Sequence, residues 1–522
     1  MKLQNIFIKG ILSTVILSAF FVSCSEDAMD LINKDRDHTQ KVQSKFILAD
    51  VITKTAFSNT GGDINTYLST YVEHEVGVHN QLFNAEHRSG EPQNSSTFNN
   101  SWLNLYEALK NARIVIDQTS DEGPESKNKI TRGIAQVLAA YNSALLADMF
   151  GDTPYSEAAL INEDGSPKFM NPKVDKQQDI YKEVFALLDD AIQNLQGSDA
   201  QGAMGAYDLL YNGNAAKWTK FAYGLKARYT MRLLKQSSNQ ASDLNLVLDY
   251  VSKSFTSASE QAAFAIYDAS NLNPLFDFQW SRDGLGASES ISEKFIERND
   301  PRLRRVFINA DWVQVEGADD PEFFMAPNGN SEQIQYYYNT SAFVFSQTAP
   351  TLLLSYHEVL FLKAEALCRL NKADEAEPVL KEAIIAAMAN TEIGVDAAMN
   401  APAVLTYGGL EETTESISDE EAETYFDTTV KPLFTANPLK ETMIQKYLAF
   451  FGASGESTEC YNDIRRMKAL GENFVELKNP NKFPLRLPYG GSDTVNNPNV
   501  KEIFGDGQYV YTEPVWWAGG TR

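Results

Sequence analysis

Apolar side chains return every third or fourth position along most of the chain. Trp102, Tyr106, Leu109 and Ile116 keep this spacing, and so do Ile134, Val137, Leu138, Tyr141, Leu145 and Met149. At about 100° per residue such positions fall on one side of a helix, so each stretch predicts an amphipathic helix. From Ser44 onward this helical texture dominates, with further helices predicted over 179–195, 214–235, 242–255, 355–371 and 373–389, and a last pair over 441–451 and 457–470. Several come as pairs joined by short polar turns. The clearest runs from Tyr356-His-Glu-Val-Leu-Phe-Leu-Lys-Ala-Glu-Ala-Leu through Asn371-Lys-Ala-Asp into Glu375-Ala-Glu-Pro-Val-Leu. Small Ala residues at the crossing let two antiparallel helices approach closely, as in a tetratricopeptide-type hairpin. The strict period of about 34 residues that marks a regular solenoid is missing.

The pattern breaks in two places. Over 262–350 Pro, Gly, Asn and aromatic residues are dense and helical spacing fades, and 471–522 is again rich in Pro and Gly and ends near Trp516-Trp517. Long irregular segments inside a folded chain are commonly functional, and the aromatic content of 262–350 predicts an ordered one. The stretch 411–427 holds eight acidic residues and no Lys or Arg, which predicts a solvated loop and helix face, with a cation site as the alternative.

The N-terminus reads differently. Lys2 and Lys9 precede an apolar run over 11–22, shorter than the roughly 20 residues that span a bilayer. This is the pattern of a secretory signal peptide. Its end, Phe21-Val22-Ser23-Cys24, resembles a lipoprotein signal box, which makes Cys24 the lipidated first residue of the mature chain and the membrane anchor. The acidic Ser25-Glu26-Asp27 that follows resembles the export signal of surface lipoproteins, or is an acidic linker. The expected organisation is a signal peptide over 1–23, a lipidated tether over 24–44, and one domain over 45–522. Within that domain a helical scaffold (45–261 and 351–470) flanks a loop-rich binding region (262–350) and ends in an irregular tail (471–522).

Composition narrows the chemistry. With 45 Lys and Arg against 70 Asp and Glu the net charge is −25, the wrong sign for neutralising phosphates, so nucleic acid is not an expected partner. Three cysteines and five histidines exclude a disulfide framework and restrict any zinc site. His74 and His79 flank a Glu75 but are five apart, which sets them about 140° apart on a helix, so no metal is expected there. Cys368 and Cys460 lie on apolar helical faces without a neighbouring Cys or His in sequence and read as buried thiols. No phosphate-binding glycine loop or nucleophile elbow occurs, and no cofactor is expected. A glycoside hydrolase would need two carboxylates about 5–10 Å apart, and nothing in the sequence singles out such a pair.

What remains is an excess of aromatic residues in apparent loops. Trp280, with Arg282 and Asp283, lies in Phe276-Asp-Phe-Gln-Trp-Ser-Arg-Asp-Gly; Trp312 lies in Asn309-Ala-Asp-Trp; and Tyr336, Tyr337 and Tyr338 form a triplet flanked by amides. Aromatic faces offer flat apolar platforms for the C–H face of a sugar ring, and adjacent Arg, Asp, Asn and Gln can bond its hydroxyls. Alternatively, these rings pin a long loop to the helices. Tyr67, Arg88 and Asn99 belong to a second candidate cluster with Tyr71, His87 and Phe98. Trp102 and Trp218 sit in strongly periodic helices and read as core.

Several segments together resemble the SusD/RagB family of surface lipoproteins. They are the signal box, Trp102-Leu-Asn-Leu-Tyr-Glu-Ala-Leu-Lys-Asn-Ala-Arg113, Asp148-Met-Phe-Gly-Asp-Thr-Pro-Tyr155, the periodic stretch 218–232, 358–366, Ile444-Gln-Lys-Tyr447, Tyr461-Asn-Asp-Ile-Arg-Arg466, Arg486-Leu-Pro-Tyr489, Asn497-Pro-Asn499 and Trp516-Trp517. The resemblance implies an all-α fold of tetratricopeptide-like hairpins with a large irregular, loop-rich ligand-binding half. It implies an outer-membrane location facing the exterior, and a partner: a SusC-like TonB-dependent β-barrel, over which the lipoprotein lies as a lid. It implies capture of an oligosaccharide ligand (a peptide in some members) without catalysis. A surface glycoside hydrolase and a tetratricopeptide scaffold for protein partners are the competing readings. The matching motifs are architectural, so the candidate ligand residues rest on the aromatic argument alone.

Overall fold

Helix-forming runs bounded by good caps become the scaffold. Ser355 accepts from the Glu358 main-chain N–H to open Tyr356–Arg369, Asn214 caps Ala215–Arg232, and Asn437 caps Pro438–Ala449, whose Pro sits in the first turn where no N–H is missed. The computed structural model describes residues 42–89, 96–162, 164–202, 204–507 and 509–522. The signal peptide, Cys24 and nearly all of the expected tether lie outside the described residues. Ser44–Arg522 clusters as one compact unit.

The scaffold is built from packed helix pairs. Ser96–Gln118 packs on Lys129–Phe150, which in turn packs on Gln177–Asn194; Ala215–Arg232 pairs with Gln240–Ser252, and Tyr356–Arg369 with Ala373–Met399. The turn between the last two bends at Asn371, whose φ of 59° suits Asn. Pro438–Ala449 packs on Tyr356–Arg369, and Ser457–Leu470 on Asp63–Tyr71. This is the expected all-α architecture. One helix runs longer than its spacing predicted: Ala373–Met399 continues ten residues past 389, because Thr391, Gly394, Val395, Ala397 and Ala398 bury a further face.

Charge is threaded through the scaffold interior. Arg228 grips Glu358 with two hydrogen bonds of 2.7 and 2.6 Å, and both side chains are buried. Buried Glu365 receives Arg369 at 2.8 Å and Arg466 at 2.8 Å. Burial raises the Glu365 pKa, but the two guanidiniums outweigh it and hold the carboxyl down at about 2. Trp102 and Trp218 are core as expected, fully buried with indole N–H groups donating to Asp493 and Asp208 at 2.5 and 2.7 Å. Trp517 of the tail is buried beneath Arg232 and Arg465, and its main-chain N–H donates to Gln177 at 3.0 Å.

The irregular region 262–350 carries its own short elements. Pro274–Arg282, Glu289–Glu297 and Leu303–Val306 are helical, and the strands pair two by two: Glu75–Gly77 with Leu285–Ala287, Ala262–Phe264 with Thr351–Leu354, and Phe307–Ile308 with Thr340–Ser341. Trp280 therefore stands on a helix rather than in a loop. Asn273 accepts from the Leu275 N–H at 2.9 Å and Pro274 fills the first turn, a start signal too short to register as periodicity.

Three local expectations change. Glu75–Gly77 is a strand, so helical geometry does not govern His74 and His79. His74 is buried between Ser457 Oγ (3.0 Å) and the Tyr447 carbonyl (3.1 Å), and burial drives its pKa down to about 3. Cys460, without a His neighbour in sequence, has its Sγ 3.6 Å from His74 Nε2; burial pushes this thiol well up, so the pair is a neutral core contact. The acidic stretch 411–427 is partly docked, because Arg305 bonds Glu412 at 2.8 Å, Arg304 bonds Glu421 at 2.9 Å and Lys381 bonds Asp427 at 3.1 Å. Among the described residues no group of three or more His, Cys, Asp or Glu is placed to hold a metal ion.

Candidate functional site

The helix Pro274–Arg282 aims Trp280 outward, and the chain leaves it through Asp283 at a φ of 45°. Gln279 braces this exit. Its Oε1 accepts from Gly284 and Leu285 at 3.1 and 3.0 Å, while its Nε2 donates to Asp283 Oδ1 at 2.8 Å. A second loop, held by Asn309 Oδ1 accepting from Asp311 and Val313 at 3.0 Å each, presents Trp312 at a φ of 66°. The chain beyond Trp312 pairs with Glu411, which brings the turn bearing Tyr407 alongside.

These elements enclose a pocket of about 320 Å³ lined by Gln279, Trp280, Asp283, Asn309, Ala310, Trp312, Tyr336, Tyr338, Thr340, Phe345 and Tyr407. Trp280 is its centre. It stacks on Phe276 at 5.3 Å and 16°, and its ring centroid lies 6.4 Å from Trp312 and 5.8 Å from Tyr407. Backed on one face and 38% exposed, it is a rigid platform open to a ligand. Trp312 in turn leans edge-on against Phe345 at 5.8 Å. Asp283 is half-buried, and its Oδ2 has no hydrogen-bond partner. Burial raises its pKa to about 6 against the pull of His79 and the Tyr336 main-chain N–H.

The structure brings together Trp280, Asp283, Trp312, Tyr336 and Tyr338 from the aromatic candidates, and leaves others aside. Tyr338 is 6% exposed and stacks on Phe324 at 5.1 Å, whereas Tyr336 is 71% exposed. Tyr337 packs edge-on against Phe324 outside the pocket. Arg282 lays its guanidinium over Phe278, 5.0 Å from the ring centre. The second cluster is engaged elsewhere: Tyr67 is buried edge-on against Phe98, Arg88 lies over Tyr71 and bonds the Ala85 carbonyl at 2.6 Å, and Asn99 accepts from Ser492 at 3.0 Å. Sequence reasoning missed Gln279, Asn309, Ala310, Thr340, Phe345 and Tyr407 as lining residues, although Gln279 and Asn309 lie within the segments quoted around Trp280 and Trp312. Of these only Tyr407 carries a local signal, an exposed aromatic just before Gly408-Gly409, where a turn presents a side chain.

The family model described as starch-binding associating with outer membrane, SusD-like, matches residues 36–489. The chain belongs to this SusD-like family. Its fold is similar to the crystal structure of a SusD/RagB family protein from Bacteroides thetaiotaomicron VPI-5482, with 56% identity, a TM-score of 0.87, and coverage of 92% of this chain and all of that one (100%). A chitin-binding protein at 21% identity and TM-score 0.70 covers 91% of this chain and 100% of its own. A SusD homolog from Bacteroides fragilis NCTC 9343 at 18% identity and TM-score 0.68 has the same coverages, 91% and 100%. These last two share the fold. No protein with a curated description matches. Carbohydrate binding at the outer membrane is thus a family-level property of this SusD-like chain, and among its described residues no helix is long and apolar enough to cross a membrane.

Proposed function

We propose that this SusD-like chain is a cell-surface lipoprotein, anchored through Cys24, that captures oligosaccharide in the aromatic pocket and delivers it to a SusC-like TonB-dependent β-barrel. The observation that carries the reading is the convergence of Trp280, Trp312, Tyr336 and Tyr407 on one open pocket. Stacking plus a few hydrogen bonds provides moderate affinity with quick release, which suits a protein that hands its ligand on. The ligand residues are Trp280, Trp312, Asp283 and Tyr336, with Tyr407 added. In this reading the protein acts by binding; supporting it, Asp283 is the one carboxylate among the described residues lining the pocket, whereas glycoside hydrolysis commonly takes two.

Titration calorimetry of a soluble form beginning at Ser25, against oligosaccharides and peptides, tests this. The expected result is heat that saturates at fixed stoichiometry with an oligosaccharide and is about ten-fold or more weaker in Trp280→Ala. Heat that continues after each injection means turnover and transfers the reading to an enzyme; saturation with peptides alone moves the ligand class. Co-purification of the lipidated protein with an outer-membrane barrel tests the partner.

A further inference from the structure

We infer that the aromatic pocket accepts uncharged oligosaccharide and rejects sulfated or uronate-bearing chains, and that Asp283 sets this selectivity. The inference rests on the reading of the pocket as a glycan site and adds the class of glycan. Among the described residues that line the pocket, Asp283 is the only one charged at neutral pH. An anionic sugar entering there exchanges water for a wall that holds a carboxylate and supplies no Lys or Arg to pair with it, and an unpaired charge leaving water is strongly disfavoured. The nearest cation on the same helix end, Arg282, is exposed and directed over Phe278 instead. Exposed Asp311 and Glu411 flank the Trp312 loop and add to the negative field.

The groups left open in the pocket are neutral. Asn309 uses its Oδ1 on the main chain of its own turn, whereas its Nδ2, the Thr340 hydroxyl and the indole N–H groups of Trp280 and Trp312 have no partner among the described residues. Such groups match the hydroxyl and ring oxygens of an uncharged sugar; they can also donate to a sulfate, but none of them carries the positive charge that would offset the repulsion from Asp283. Asp283 itself is held in place by Gln279. The titratable and charged groups facing it are His79 and Tyr336, with Arg282 beside it in sequence and Asp63 near Arg282. Burial lifts the Asp283 carboxyl to about 6, so its charge is present at pH 7.5 and lost at about pH 5, where a sulfate remains ionised.

The test applies the full-length protein, in detergent, to an array that sets neutral oligosaccharides beside their sulfated counterparts. Wild type, Trp280→Ala and Asp283→Asn are compared at about pH 7.5 and about pH 5. Asn tolerates a φ of 45° and keeps the oxygen that Gln279 binds, and a near-ultraviolet circular dichroism spectrum checks that this variant is folded. Expected at pH 7.5 is Trp280-dependent binding of neutral chains, with sulfated counterparts at least about ten-fold weaker. Asp283→Asn narrows that gap several-fold and removes its pH dependence, and wild type at pH 5 behaves like the variant without any substitution. Sulfated chains bound as well as neutral ones by wild type, a gap unchanged in Asp283→Asn, or a pH response that survives in it each overturn the inference alone. Absence of Trp280-dependent binding to every glycan overturns the glycan reading of the pocket and this inference together.

Discussion

The helical scaffold and the aromatic pocket treat polar groups in opposite ways. In the scaffold, Arg228, Glu358, Glu365 and Arg466 are almost wholly withdrawn from water, and each ends on a partner of opposite charge. In the pocket, Trp280 keeps one face bare and Asp283 leaves one oxygen without a partner. A buried charge must be matched within the protein, because leaving it unpaired costs several kcal/mol. A recognition surface does the reverse and keeps its complementarity for a molecule that is not always there. Scaffold groups such as Arg465 Nε and Arg486 Nε also lack a hydrogen-bond partner, so what marks the pocket as available is the exposed Trp280 face beside the open carboxylate oxygen, not the unpartnered oxygen alone.

The largest effect that would sharpen this contrast is expected in the scaffold. Glu358→Ala takes from the buried Arg228 guanidinium its two short ionic hydrogen bonds and leaves it the Leu353 carbonyl at 2.8 Å and Glu459 at 3.7 Å, and urea unfolding should register a loss of about 3 kcal/mol. A loss below about 1 kcal/mol would mean that the pair is not the organising contact described above. Glu75 lies between the two regimes. It is buried, it accepts from Ser341 at 2.5 Å, and burial pushes its pKa up to about 8. The folded chain therefore keeps this proton while the unfolded chain releases it near the ordinary value of 4.5, so stability attributable to Glu75 falls as pH rises from about 4.5 through about 8. Glu75→Gln lacks that decline and should be more stable than wild type by up to about 3 kcal/mol at pH 8, with a smaller difference at pH 5. Parallel denaturation curves at the two pH values check it, and an equal offset at both would refute it. The smallest effect belongs to the pocket rim. Tyr407 is 74% exposed and meets Trp280 only at 5.8 Å, so Tyr407→Ala should weaken ligand binding by less than about ten-fold and leave the unfolding midpoint in place. A shift in that midpoint would assign Tyr407 to the fold instead.

Much of the scaffold was legible before any coordinates. The helix predicted over 457–470 appears with the same bounds, and Trp102 and Trp218 lie in the core, since a 3–4-residue apolar spacing leaves a helix one face to bury. Trp280 was legible as a residue but not as part of a helix, because Pro274–Arg282 is too short for periodicity to declare itself and is announced only by its Asn-Pro start. Tyr67 shows the opposite failure. Its sequence neighbours resemble a polar–aromatic cluster, yet its ring is buried against Phe98, because burial depends on which helix lies above it.

The sequence by itself determined the helical class, the signal-peptide pattern at the N-terminus, the acidic balance, and the concentration of aromatic residues in one irregular region. These are local or summed properties, written in spacing and composition. Only the tertiary structure decided that Trp280, Trp312 and Tyr407, 127 positions apart from first to last, share one pocket while Tyr337 and Arg282 do not. It also decided that Cys460 meets His74, and that part of the acidic stretch is docked on Arg304 and Arg305. The reason is that convergence of distant segments depends on turns such as the left-handed exits at Asp283 and Trp312 and on short strand pairings of two to four residues, whose signals are too brief to be read until the packed scaffold holds them in place.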